Sequence, residues 1–318
     1  MINFSDGVKH LYLRKLNEVS QKQTSGLNQW LTNGADYYVP CDQQNNDFTI
    51  GTYNPFDFLN PYSYDINRLS CAATESLRDI GQISWQHKFI GWNITKFYYS
   101  AFFSAHCILK IMGKSLSNID QSSINRIKDI TTLYGYRVGN LNNGLYCISV
   151  DTVNNRFRFY KVPKYDNSHE GLWCYFTDFL NDSKNSVYHQ LPQHEAQIVV
   201  EKIDELIKAL RNWNSPHGNW LSRIRNLVNY NQAYGTWYPY KGYNAEYDRI
   251  YTFLNLHKNN PLTIDIAPYA GKDILYFVRT CQLINAISND LLCDLETKHP
   301  TNKSFVKTGI KQFESLYA

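Results

Sequence analysis

Apolar positions along the 318-residue chain recur mostly at helical spacing, with one interruption. Val8, Leu11, Leu13, Leu16 and Val19 predict a short amphipathic helix over 4–20. Residues 21–66 change character: "CDQQNNDFTIGTYNPFDFLNPYSYD" is rich in Asn, Asp, Tyr and Pro. That composition predicts an irregular N-terminal arm or cap, 1–66, ordered by its aromatics. Helices follow over 67–81 and 93–112; the second is apolar on nearly every face, as a central helix must be. Asn93 is its candidate N-cap and Gly113 its stop. Further helices are expected over 170–182, 194–213, 221–234, 269–300 and 303–316, with Pro300 closing the longest.

The interruption is "GLYCISVDTVNNRFRFYKVP" at about 144–163, two β-rich runs around an Asn-Asn pair. It predicts an antiparallel hairpin inserted between helices. The expected architecture is mainly α: a domain over 67–318 whose bundle draws on 93–112, 194–213, 221–234 and 269–297.

Composition narrows the class. Hydrophobic residues make up 43% and charged residues 19%, enough apolar surface for a core. The net charge of +4 permits a nucleic-acid partner without demanding one. The 7 cysteines form no C-x-x-C pair, so reduced thiols are expected rather than a disulfide scaffold. The first residues lack the unbroken apolar core of a signal peptide, and no run of apolar residues is long enough to span a bilayer. A cytoplasmic protein with no membrane association is the expectation. No phosphate loop of the G-x-x-x-x-G-K-[ST] type and no G-x-S-x-G elbow occurs. "HQLPQHE" (189–195) carries Pro192 and is not a zinc-protease helix, so neither a metal nor a cofactor is expected.

The chemistry concentrates in "SRIRNLVNYNQAYGTWYPY" (222–240). At about 100° per residue, Trp220, Leu221, Ile224, Leu227 and Val228 gather into one buried arc. Arg225 lies at its edge, with Ser222, Asn226, Asn229 and Tyr230 opposite. Asn226 and Tyr230, four apart, are neighbours on the surface, as are Arg225 and Asn229. A guanidinium offers a planar fork that matches phosphate and keeps its charge at any working pH. An amide orients a ligand, whereas a phenol is a poor general base near neutrality. The plainer alternative is a solvated polar face whose arginine pairs with an acid.

"RNLVNY" on a late helix resembles the R-x(4–6)-H signature of the HEPN superfamily, where a polar residue often follows the arginine. "FYYSAFFSAHCILKIMG" resembles the earlier HEPN helix with its Tyr-Tyr pair. The resemblance covers roughly 86–112 and 194–240. It implies an HEPN-like helical bundle that dimerises or joins a larger complex. It also implies a metal-independent endoribonuclease of antiphage defence, abortive infection or toxin–antitoxin type. In that chemistry the RNA 2′-hydroxyl attacks the adjacent phosphodiester, histidine moves the proton and arginine steadies the phosphorane. Arg225 matches the arginine and Asn226 the residue after it. The histidine position holds Tyr230, and the longer spacing gives Gln232. Tyr230 then serves as a weaker acid, another histidine (His106 or His217) folds into place, or the site binds RNA, a nucleotide or a partner protein without cutting.

Candidate RNA contacts extend to Asn229 and Asn231, and to Tyr234 in the aromatic run 233–240, whose flat rings can stack unpaired bases. Arg156 and Arg158 alternate with Phe157 and Phe159 on the hairpin strand, giving one basic face and one apolar face. A packed turn and an ordinary half-buried strand are the respective alternatives.

Overall fold

In this computed structural model the described residues are 2–20, 25–78, 80, 90–165, 167–268 and 273–316. The elements run α1 (Phe4–Val8), α2 (Leu27–Asn33), β1 (Asp47–Gly51), α3 (Pro55–Arg78), α4 (Ile90–Ile111), β2 (Lys114–Ile119) and α5 (Gln121–Leu133). They continue with β3 (Gly144–Asp151), β4 (Arg156–Tyr160), α6 (Ser168–Tyr188), α7 (Gln193–Leu210), α8 (Trp220–Asn231), α9 (Asp273–Thr297) and α10 (Gln312–Ser315). The fold is therefore mainly helical with a small antiparallel sheet. Parts of several expectations lie outside the described residues: 1 and 21–24 of the arm at 1–66, 79 and 81 of the helix at 67–81, 86–89 of the stretch at 86–112, and 269–272 of the helix at 269–300.

The chain divides into two compact units. The first comprises Met1–His10, Ser70–Ile108 and Leu172–Leu292; the second comprises Leu11–Leu69, Leu109–Gly171 and Cys293–Ala318. The first unit holds the expected bundle, drawn from α4, α7, α8 and α9 with α6 added. Its core is aromatic. The Trp220 ring packs on Tyr276 and Phe277, at 5.0 and 6.2 Å between centroids, which ties α8 to α9. Ser104 on α4 donates to the Asn285 amide oxygen on α9 at 2.8 Å, satisfying both in a buried setting.

In the second unit the expected hairpin is present as β3 and β4, but it is the centre of a four-stranded sheet in the order β1-β4-β3-β2. Asp47 pairs with Tyr160 and Gly51 with Arg156 at one edge; Leu116 pairs with Cys147 at the other. The flanking strands are short and polar on one face, so neither shows a run long enough to read as a strand. Phe157 and Phe159 face the core while Arg156 and Arg158 face out, the alternation the sequence predicts.

Residues 55–66, expected to be irregular, are the first half of α3. Phe58, Tyr62 and Ile66 are fully buried at four-residue spacing, a helical stripe that the Asn, Asp and Pro content obscures. Pro55 starts the helix, where its missing N–H costs nothing, and Pro61 is carried within it. Conversely, the helix expected over 4–20 stops at Val8 and gives way to short turns, and the left-handed φ of 65° at Lys15 keeps a helix from running through that position. Asn93 does not cap α4. The helix begins at Ile90, and the buried Asn93 amide donates to the Tyr251 hydroxyl at 3.0 Å. Gly113 does end it, at φ 67°. The terminal helix over 303–316 is broken: a wide turn, Lys307–Lys311, with a non-helical Gly309, precedes α10.

Candidate functional site

Helix α8 is the element the chemistry needs; it spans Trp220–Asn231, three residues short of the expected end at 234. Gln232, at a left-handed φ of 51°, ends it before the aromatic run. Three placements on it need correction. Ser222 lies inside rather than on the polar side, at 2% exposed, and Arg225 is 6% exposed rather than at an accessible edge. Leu227, assigned to the buried arc, is only half-buried. The arc is thus rotated toward Ser222 and Arg225, because α4 lays its tyrosine pair over that flank.

Tyr98 and Tyr99, from the stretch resembling the earlier HEPN helix, meet Arg225 directly. The guanidinium carbon sits 5.2 Å from the Tyr98 ring centroid, 5.9 Å from Tyr99 and 5.9 Å from Tyr230. Three negative ring faces around one cation stabilise it where water is largely excluded. Tyr98 is itself fixed: Trp173 on α6 donates its indole N–H to the Tyr98 hydroxyl at 3.1 Å, and Ser222 bonds the same oxygen. Burial pushes the Tyr98 phenol up to about 12, against the lowering pull of Trp173, Ser222 and the Arg225 charge. Tyr98 is therefore neutral at working pH, a wall of the site rather than a base.

The guanidinium is anchored on one side only. Its Nη1 donates to the Asn226 amide oxygen at 2.7 Å and, at 3.4 Å, to the Tyr230 hydroxyl. Nε is buried without a hydrogen bond, and Nη2 makes none among the described residues. Nε–H and Nη2–H form the parallel edge that grips a carboxylate or phosphate through two bonds. Arg158 shows the contrast. Its Nε and Nη2 both engage Asp47, so that edge is filled by protein. No carboxylate pairs with Arg225 among the described residues. The plainer alternative, an arginine paired with an acid, is not what these residues form.

The other candidates are distributed unevenly. Asn226 is half-buried, its amide nitrogen without a partner among the described residues. Tyr230 is 73% exposed and holds its ring over the guanidinium. Asn229 accepts from the Thr95 hydroxyl at 2.7 Å, which fastens α8 to α4. Asn231 is exposed just beyond. Tyr234 takes a left-handed φ of 65°, and its phenol is driven upward by burial and by the nearby Asp273 charge, so it sits in a packed turn. That turn is locked by Trp237, which donates to the Val228 carbonyl at 2.8 Å and packs edge-on against Trp92 at 5.4 Å. Arg156 and Arg158 belong to the second unit.

Neither histidine joins the arginine. His106 stands two turns along α4 from Tyr98, about 12 Å of helix axis, with its ring edge-on to Phe102 at 4.8 Å. His217 is exposed before α8. Neither hydrogen-bonds to Arg225. Trp173 is the part that sequence reasoning missed, since it lies on a helix whose docking face no local pattern gives; Ser222 was named but set on the wrong side of the helix.

Among the described residues no group of three or more His, Cys, Asp or Glu side chains is placed to hold a metal, and no helix is long and apolar enough to cross a membrane. No family model, curated protein or solved structure matches the chain.

Proposed function

We propose that this chain is an HEPN-like protein of bacterial antiphage defence or toxin–antitoxin type that grips RNA phosphate through Arg225. The observation that carries this reading is the buried guanidinium whose Nε–Nη2 edge has no protein partner among the described residues, while Nη1 is held by Asn226 and Tyr230. A cation kept in that state leaves its fork open to an anion from outside the chain, and phosphate fits that fork. The half-buried Asn226 amide supplies a further donor, and exposed Tyr230 a ring on which an unpaired base can stack. The meeting of the two stretches on which the HEPN resemblance rests, Tyr98–Tyr99 and Arg225–Tyr230, supports the same reading.

A second reading, metal-independent endoribonucleolytic cleavage by 2′-hydroxyl attack, is favoured by the Tyr230 hydroxyl at 3.4 Å from the guanidinium. There Arg225 steadies the phosphorane, Asn226 orients it and Tyr230 serves as proton donor. The absence of imidazole from the Arg225 contacts lowers the expected rate by about 10²–10⁴. A homodimer or a larger defence complex completes the proposal.

The test incubates purified protein with total RNA in chelator, beside Arg225→Met. Retention of single-stranded RNA by the wild type alone, without new ends, supports the binding reading. Wild-type-only cleavage leaving 2′,3′-cyclic phosphate supports the second. RNA held equally by both proteins, or by neither, sinks the proposal.

A further inference from the structure

The second unit contains a cleft of about 170 Å³ lined by the apolar Leu13, Leu59 and Phe157 and by the charged Arg14, Lys15 and Asp151. We propose that this cleft binds a small ring-bearing phosphomonoester, its ring on the apolar lining and its phosphate between Arg14 and Lys15. The proposal is independent of the Arg225 site.

Size sets the first constraint. An apolar cavity of about 150 Å³ accommodates benzene, so this cleft takes one ring and little more. Leu59 and Phe157 are each 3% exposed, which makes that lining part of the packed core rather than a loose surface dent. Drug-sized ligands need about 300 Å³ or more, and a long chain is excluded on the same ground.

Charge sets the second. Neither the Arg14 nor the Lys15 side chain forms a hydrogen bond or an ion pair among the described residues. The turn that presents them is rigid: the Leu13 N–H donates to the Ile111 carbonyl at 2.8 Å, and the Glu18 N–H to the Lys15 carbonyl at 3.0 Å. Lys15 holds a φ of 65°, a left-handed conformation that an L-residue with a Cβ adopts at a cost. Asp151 is the carboxylate lining the cleft, but it is turned into its own hairpin. One oxygen accepts from the Val153 and Asn154 N–H groups at 3.0 and 3.2 Å, and the other from the Asn154 amide at 2.7 Å. Arg14 and Lys15 then outnumber the one carboxylate in the lining, and both are free to reach an anion. A phosphomonoester carries about 1.5 to 2 negative charges near neutrality and three acceptor oxygens, so it can engage both cations at once.

The experiment titrates the full chain with phenyl phosphate by calorimetry, with inorganic phosphate and benzyl alcohol as the two halves of the probe. Phenyl phosphate is expected to saturate the protein below about 10 mM, and each half alone to bind about tenfold more weakly or less. Arg14→Gln/Lys15→Gly is expected to weaken phenyl phosphate at least about tenfold. Its thermal midpoint should be unchanged or raised, since glycine accepts the left-handed turn. Arg14→Gln alone, at an exposed position, should weaken binding about threefold or more with no effect on folding. No saturation by about 10 mM, equal affinity for phenyl and inorganic phosphate, or full affinity in the double variant overturns the proposal.

Discussion

Replacing Arg225 by methionine separates a ligand-binding arginine from a structural one. Methionine keeps an unbranched stem of similar length, so the packing against Tyr98 and Tyr99 survives while the charge goes. The loss begins with one short charge-assisted bond, Nη1 to Asn226 at 2.7 Å, worth about 1.5–3 kcal/mol. The contact to Tyr230 at 3.4 Å is near the limit and adds little. Three ring contacts at 5.2–5.9 Å contribute about 0.5–1 kcal/mol each. Against this total of about 3–6 kcal/mol stands the cost of keeping a cation 6% exposed with no carboxylate nearby, which is several kcal/mol. The terms nearly cancel. Arg225→Met should change folding stability by less than about 2 kcal/mol, in either direction.

Binding should respond differently. Loss of a two-bond grip on phosphate should weaken single-stranded RNA by about 10- to 100-fold. It should also flatten the dependence of affinity on salt by about 0.7 in the logarithmic slope, one phosphate contact on a single strand. Arg225→Lys keeps the charge but not the fork, so it should preserve the slope while losing most of the affinity. The assays are urea denaturation followed by tryptophan fluorescence, and fluorescence anisotropy with a labelled single-stranded RNA at several salt concentrations. A destabilisation above about 3 kcal/mol, the usual consequence of breaking a buried pair, together with unchanged RNA affinity would show Arg225 to be a structural clamp and refute the reasoning.

Three further outcomes follow from the packing. Gly91→Ala places a Cβ 2.3 Å from the Trp237 ring, so urea denaturation should show a loss of about 1–3 kcal/mol despite alanine's helix preference. For alkaline stability the sign is set by Tyr98, whose folded pKa of about 12 lies above its ordinary value of about 10: its contribution is complete below pH 10 and is lost as pH rises toward 12. Tyr98→Phe should therefore remove about 2–3 kcal/mol from the alkaline decline measured by denaturation at pH 8–12, on top of its own packing effect. In the second unit Lys110 pairs with Asp65 at 3.3 Å and lies over the Tyr62 ring at 4.2 Å, so Asp65→Asn should cost about 3 kcal/mol in urea, with much of that recovered by adding Lys110→Met.

Much of this fold was legible where one period governs a long segment. The amphipathic pattern over 194–213 placed α7 within three residues of its observed ends, and α4, apolar on nearly every face, is buried as a central helix. Legibility failed where one residue overrides a pattern. The apolar spacing from Val8 to Val19 reads as a helix, yet the left-handed turn at Lys15 breaks it. At α3 the error ran the other way: turn-forming residues masked a stripe whose burial makes the helix worth forming. The sheet was half visible because β3 and β4 are local partners, whereas β1 and β2 find theirs at long sequence separation.

The candidate site shows the same division at the level of single side chains. Helical spacing alone puts Arg225, Asn226 and Tyr230 on neighbouring positions, and hydrogen bonds from Arg225 do join the three. Spacing cannot say whether that arginine meets an acid, water or rings, because this depends on which helix docks against α8. Asn229 supplies the answer by bonding Thr95, which sets α4 across the flank where Tyr98 and Tyr99 cover the guanidinium. A helix register shifted by one residue would have turned Ser100 or Phe97 into one of the two ring positions, trading a phenol for a small hydroxyl or an unsubstituted ring. The burial of Arg225 is thus a consequence of inter-helix register, and changes to the Thr95–Asn229 bond should reach RNA affinity without touching any RNA contact. Thr95→Val should leave α8 helical and lower RNA affinity by a factor of about 3–10, from about 1 kcal/mol of lost hydrogen bonding. An unchanged RNA affinity would mean that Arg225 holds its place without that register.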